Sequence, residues 1–347
     1  VASEPHAEAG PAGSSPWRLA FRRLRRNRVA LAFGALFVLI VLFVLAAPLW
    51  ADYVADTGPN KTHTLEKVEV DGEQREVVDV EGHPIGPLWL GAGGKFFLGA
   101  DGRLGRDEMV RLMYGGRASL FIGFASALLT TVLATILALL AGYYRGWVDG
   151  LISRILDVIW AFPVLLLGIA LGIALALGGL KIGPLEIPSG SIWITILIIG
   201  GVLVPYVARP LRGAVLSLRE KEFVEASVAQ GADPLRVMFG ELLPNLASTI
   251  IVLFTLGIAN AMLFEAALSF LGVGVQPPDT SWGSMVGDGF QLISSAPLLT
   301  ILPGTMIFLT VLAVNVFGDG LRDALDPRSK VLLEAHAGVA EPEGTAI

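Results

Sequence analysis

The most suggestive spacing in this chain lies in one polar stretch. It reads Glu222-Phe-Val-Glu-Ala-Ser-Val-Ala-Gln-Gly231-Ala-Asp-Pro-Leu-Arg236 and closes on Leu243-Pro244. Glu220 to Ala229 is helix-permissive, with two acids in an early turn that suit the positive end of a helix dipole. Phe223, Ala226, Ala229 and Gln230 fall near one face. Gly231 can end that helix or let another backbone approach closely. Asp233-Pro234 reads as a fresh start, with Asp at the N-cap and Pro at the first helical position. The stretch therefore predicts a short helix, a Gly break and a second helix leading into an apolar run. The stretch could receive energy supplied from outside the apolar runs, and the plainer alternative is an amphipathic surface loop.

Other chemistry is missing. No Gly-x-x-x-x-Gly-Lys-Ser/Thr loop is present to bind ATP, and no His-Glu-x-x-His to bind zinc. The chain has no cysteine, which excludes thiolate metal sites and thiol catalysis. Its four histidines, His6, His63, His83 and His336, all stand outside the long apolar runs.

Those runs dominate the elements that must position the polar stretch. The chain is 54% hydrophobic and only 16% charged, which excludes an ordinary soluble enzyme and a disordered chain. Six runs without Asp, Glu, Lys or Arg exceed 20 residues: Val29–Ala51, Ala118–Tyr144, Val158–Leu180, Ile187–Ala208, Leu242–Phe264 and Gly289–Gly318. A bilayer core needs roughly 20 apolar residues as helix. The period-2 alternation of a barrel is absent. The expected fold is therefore an all-α polytopic membrane protein with six transmembrane helices. No ionisable residue stands at the middle of a run, which disfavours an ion-coupled carrier.

Basic residues set the expected orientation. With the N-terminus cytoplasmic, the inside receives 16 of the 25 Lys and Arg, and both termini are cytoplasmic. The first run is too long for a signal-peptide core and is expected to remain as a helix. The expected division is a cytoplasmic tail at 1–28, a first helix at 29–51 and an external segment at 52–105. A core of five spans follows at 106–328, with the polar loop at 209–244, and then a cytoplasmic tail at 329–347. Within the external segment, Asp71-Gly72 between alternating residues predicts a small β-hairpin.

At the expected outer end of the fifth run stand Glu265, Leu271-Gly272, Gly274, Gln276, Pro277-Pro278 and Trp282. Trp282 suits an interfacial anchor, and the alternative is a re-entrant or lid-like gate. Glu265 reads as an interfacial acid that need not be desolvated, or as a contact at that gate. Pro163 and Pro205 permit bends, and Gly168-x-x-x-Gly172 permits close helix contact.

Glu225-Ala226-Ser227, then Gly231, then Leu243-Pro244 resembles the EAA loop of ATP-binding-cassette importer permeases. Three further motifs narrow the resemblance to the dipeptide/oligopeptide/nickel permease family, C-type subunit. They are Gly105-Arg-Asp-Glu-Met-Val-Arg-Leu-Met-Tyr-Gly115, Glu265 to Pro278 with Ser281-Trp282-Gly283, and Gly318-Asp-Gly-Leu-Arg-Asp-Ala-Leu-Asp-Pro327. The match runs from about Arg22 to Arg328. Ser227 departs from the third residue of the motif, and Glu241 stands where the broad consensus is apolar. The resemblance implies a type I importer permease that pairs with a homologous permease to enclose the pathway. Glu225, Ala226, Ser227, Gly231, Asp233, Leu243 and Pro244 would form the coupling loop. Glu265, Gln276, Pro277, Pro278 and Trp282 would belong to the outer gate. Two cytoplasmic ATPases would bind ATP and Mg, so this chain carries no cofactor, no metal and no catalytic residue. An external solute-binding protein would deliver a di- or oligopeptide. The alternatives are nickel or another small solute, and, in a different class, a non-transporting scaffold or receptor subunit in the membrane.

Overall fold

The computed structural model describes residues 16–325 apart from 71–72, 90–93 and 103. The 329–347 tail, the first fifteen residues and the Asp71-Gly72 turn lie outside the described residues. The chain opens with a short helix, α1 (Pro16–Leu24), and then α2 (Arg28–Leu45). Asn27 starts α2, its side-chain oxygen accepting from the Ala30 amide at 3.0 Å. A four-residue helix, α3 (Ala47–Trp50), and one π-helical turn (Ala51–Ala55) carry the chain past the end of the first apolar run. The hydrophilic segment follows, holding the predicted hairpin as β1 (Lys67–Val70) and β2 (Glu73–Glu76). Lys67 pairs with Glu76 and Val70 with Glu73 in an antiparallel register.

The long helix α4 (Glu108–Tyr144) is the axis of the bundle, packing on α2, α7, α8, α11 and α12. Next come α5 (Gly146–Trp160) and α6 (Val164–Gly178), a hairpin of β3 (Leu180–Ile182) and β4 (Leu185–Ile187), then α7 (Ile192–Val202) and α8 (Val204–Arg219). The docking-loop candidate forms α9 (Glu222–Ala229) and α10 (Pro234–Arg236), followed by a π-helical turn (Val237–Leu242). The last elements are α11 (Leu243–Phe270), α12 (Trp282–Phe290) and α13 (Leu298–Leu325). Among the described residues, four helices or continuous helical runs are long and apolar enough to cross a bilayer. Two bent pairs raise the number to six if each counts as one span.

The bent pairs correct the boundaries read from charge alone. The run Val158–Leu180 is not one helix: α5 and α6 meet at 85° around Pro163. Pro163 has no amide hydrogen and stands at the head of α6, so the chain turns there instead of kinking mildly. The fourth run also starts late. Ile187 ends a strand, and α7 begins at Ile192 behind Ser191, whose hydroxyl accepts from the Trp193 amide at 3.4 Å. The β3–β4 hairpin was not predicted, because its apolar residues merged with the neighbouring runs. The sixth span begins at Leu298, nine residues after the charge-free run does.

Many apolar side chains face outward on α2, including Val38, Leu39 and Leu42. Lipid satisfies such surfaces, so the helices are held by close packing instead. Gly168 and Gly172 do this as expected. A Cβ on Gly168 would lie 2.8 Å from the Phe264 ring, and one on Gly172 3.1 Å from the Val273 carbonyl oxygen. The α6 backbone therefore lies directly on α11 and the turn that follows it.

Candidate functional site

Two groups of expected site residues fall at opposite ends of α4. At the first, the loop end, α9 stands almost bare. Val224 is its one buried residue, packed with Val237, Met238, Leu242 and Leu246. Glu225 and Ala226 are exposed and Ser227 is half-buried. Gly231 follows with φ +82°, its amide bonded to the Val228 carbonyl at 2.9 Å. A non-glycine residue there would enter the left-handed region at about 1–2 kcal/mol. No atom would meet a Cβ at Gly231 within 4 Å, so the glycine is required by backbone shape and not by crowding inside this chain. Asp233 occupies the N-cap position of α10, with Pro234 behind it, but its side chain makes no cap bond. Leu243 is half-buried and Pro244 exposed at the head of α11.

The exposed side chains of this end include Phe223, Val228, Leu235 and Phe239. Four large apolar groups on one short polar loop form a surface suited to a protein partner. The base of the loop is tied together by ion pairs. Arg212 grips Asp149 with two bonds of 2.5 Å, Arg209 bonds Asp157 at 2.6 Å, and Arg145 bonds Glu220 at 2.7 Å. These pairs tie α5 and the end of α4 to α8. Arg209 also lies 4.0 Å from the centre of the Trp160 ring, which stacks on Tyr206. An exposed apolar surface thus stands on a base tied together by ion pairs.

The second end has the opposite character. Glu265 is 1% exposed, which corrects the expectation of an acid left in water. Ser119 on α4 donates to it at 3.0 Å and Ser269 at 2.6 Å. Those hydroxyls in turn accept the Trp282 amide at 3.1 Å and the Val275 amide at 3.0 Å. Trp282 is 0% exposed, so it is not an interfacial anchor. Its indole donates to the Leu112 carbonyl at 2.8 Å, and its ring fills the contact between α4, α2 and α12. Gln276 spends its amide on the Gly272 and Gly274 carbonyls at 3.0 and 3.2 Å. Pro277 and Pro278 are exposed and joined by a cis peptide bond. Glu265, Gln276 and Trp282 therefore hold the returning segment in shape, and the two prolines carry its exposed turn.

The sequence reading missed a third group beside this junction. Asp107 caps α4, accepting the Val110 amide at 3.0 Å and the Phe96 amide at 2.6 Å. Arg111, one turn on, bonds Asp101, Thr280 at 3.2 Å and Asp288 at 3.4 Å. Arg106 adds a 2.6 Å bond to Asp101. Burial pushes the Asp107 carboxyl up, partly offset by these amide bonds. Asp before a long apolar run is an N-cap signal, and it was legible at Asp107. The partners of Arg111, ten and 177 residues away, were not.

Known proteins match this architecture. A model of the binding-protein-dependent transport system inner membrane component family covers residues 134–331. The chain belongs to that family of ATP-binding-cassette importer permeases. A second model, the N-terminal transmembrane domain of oligopeptide transport permease C, covers residues 15–65 of the permease. The permease is 38% identical to the dipeptide transport system permease protein DppC of Alkalihalophilus pseudofirmus, over 91% of each chain. It is 37% identical to a di/tripeptide transport system permease of Pseudomonas aeruginosa, over 91% of this chain and 93% of that one. It is also 36% identical to the glutathione transport system permease protein GsiD of Pectobacterium atrosepticum, over 91% and 92%. Among solved structures, an inward-facing MetNI methionine ABC transporter aligns with a TM-score of 0.51 at 18% identity. That alignment covers 62% of this chain and 96% of the other, and shows a shared fold.

Proposed function

We propose that this permease forms half of the translocation pathway of an ATP-driven importer of di- and oligopeptides. A homologous permease supplies the other half. Two ATPase subunits, which hold the ATP and Mg, grip the EAA loops, and a solute-binding protein docks at the other end. In this reading the loop end and both termini are cytoplasmic and the hydrophilic segment is external. The observation that carries the coupling is the bare α9–Gly231–α10 unit with Phe223, Val228, Leu235 and Phe239 outward on a braced base. A helix that buries one residue against its own chain is free to fill a groove on another and to transmit a rigid push. The peptide cargo is supported by the di- and tripeptide permeases to which the chain is similar.

Reconstitution tests this reading. The chain alone in vesicles is expected to accumulate no labelled peptide with either ATP or an ion gradient. Addition of a second permease, the ATPases and the binding protein is expected to give ATP-dependent uptake. Saturable uptake by the chain alone would defeat the subunit reading. Orientation is tested separately on this cysteine-free chain. A cysteine at Glu73 is expected to react with an impermeant thiol reagent from outside, and one at Asp233 only from inside. Reversed labelling would turn the whole assignment over.

A further inference from the structure

The Gly105–Gly115 motif is not used by the docking loop, yet its Arg111 sits where the hydrophilic segment, α4 and α12 meet. We propose that Arg111 is a positioning residue for coupled transport. It latches α12 to the external segment through Asp288, and release of that arm is a step in coupling. The inference rests on the importer reading above and adds a residue-level device to it.

The arms of the guanidinium are unequal. The Asp101 arm is enclosed: Arg111 is 4% exposed and Arg106 shares the same carboxylate. Breaking it would leave an uncompensated buried charge. The Thr280 arm is a 3.2 Å bond to a buried hydroxyl. The Asp288 arm is 3.4 Å long and its carboxylate is 63% exposed, so water competes for it and screens it. Of the three, the Asp288 arm is the one that opens at least expense.

Space lies on the same seam. A cleft of about 450 Å³ is lined by Gly102, Leu104, Arg106, Asp288, Gln291 and Leu292. At its base a void of about 20 Å³ touches Glu108, Arg111, Asp288 and Leu299. There the buried Glu108 Oε1 and Arg111 Nε have no hydrogen-bond partner. The Trp282 end of α12 is closely packed, with Ser281, Trp282 and Gly283 all buried. Its other end also leads onward. A Cβ on Gly289 would lie 2.6 Å from the Leu299 carbonyl carbon, so a shift of Asp288 displaces the head of α13. A load on the external segment thereby reaches a transmembrane span.

The test uses the whole transporter in vesicles. Asp288→Ala removes the weak arm, and Arg111 keeps Asp101 as its counter-charge. It is expected to keep the melting temperature and the unstimulated ATP hydrolysis. The hydrolysis stimulated by the binding protein is expected to fall about three- to tenfold. A second variant pins the seam. A Cβ on Gly102 would lie 2.6 Å from Leu292 Cδ1, so Gly102→Cys with Leu292→Cys joins the segment to the loop after α12 on oxidation. The oxidised pair is expected to lose stimulation and recover it on reduction. Full stimulation and uptake in the oxidised pair would overturn the latch, as would an unchanged Asp288→Ala protein. Stimulated hydrolysis that the lock abolishes in the cysteine pair, together with a wild type that takes up no peptide, would refute the peptide reading and leave the latch standing.

Discussion

The two ends of α4 handle their polar groups in opposite ways. At the loop end, Glu225, Asp233 and the apolar side chains around them point to solvent, and the unit holds its place through Val224 and the turn behind it. At the other end, Glu265 and Trp282 are buried and bonded across three helices. A surface meant for a partner must leave its own contacts unmade, since it cannot spend them twice. A junction meant to keep its shape must saturate its buried donors and acceptors, because each one left over costs about 1–3 kcal/mol. The comparison predicts that damage at the junction shows as lost stability, and damage at the loop as lost coupling in a stable protein.

The largest expected effect is at Trp282. Trp282→Ala empties a fully buried site and strips the Leu112 carbonyl of its donor, and is expected to destabilise by about 3–5 kcal/mol. Thermal unfolding of the purified chain in detergent measures this. Glu265→Ala, which leaves two serine hydroxyls facing a cavity, is expected to cost about 1–3 kcal/mol. Glu265→Gln, which retains an acceptor, is expected to cost less. Equal melting temperatures for all three variants and wild type would break the comparison at this end.

Gly231→Trp tests the other end. Its side chain meets nothing within this chain, so beyond the strain of about 1–2 kcal/mol at φ +82° the protein is expected to fold and insert. ATP-driven uptake is nonetheless expected to disappear, because the ring stands the partner off. A milder pair sharpens the point. Leu235→Ser and Phe239→Ser, both exposed, are expected to change stability by no more than about 0.5 kcal/mol. Both are expected to lower recovery of the ATPase subunits on co-purification. Loss of stability with intact recovery would invert the assignment of the two ends.

The difference between the ends also governs what could be read from the chain. The loop was legible because its logic is local: acids at a helix start, a glycine at the stop, and Asp-Pro at the next start are neighbours in sequence. The long spans were legible because lipid demands runs of apolar residues. Glu265 and Trp282 were picked out, yet their surroundings were misjudged. Their fate depends on Ser119 and Leu112, about 150 residues earlier or more, which arrive only when α4 and α11 pack. The 85° turn at Pro163 was hidden by composition, since charge-free residues continue on both sides of it. Arg111 was quoted within a motif and given no task, because Asp288 joins it only through the tertiary fold.

The smallest expected effect belongs to the Glu66 cluster of the hydrophilic segment, whose charged groups are partly exposed. Glu66 accepts from His63 and from Lys95, the latter at 3.2 Å, while the other His63 nitrogen meets the Thr57 hydroxyl at 2.7 Å. Partial burial works against the Glu66 charge, but the bonds and charges of His63 and Lys95 outweigh it and hold the carboxyl below its ordinary value of 4.5. The sign follows from linkage. A carboxyl whose folded value is depressed contributes stability that is present above 4.5 and is lost as pH falls through the folded value. Glu66→Gln removes the titration, so the wild type and this variant are expected to differ at neutral pH and to converge below 4.5. A fluorophore on a single cysteine introduced at Glu73 of this cysteine-free chain gives the segment a signal of its own. Melts followed by that signal, from neutral pH to about pH 3, measure the gap. A gap that widens on acidification would reverse the sign. A constant gap would move the contribution of Glu66 from its charge to its packing.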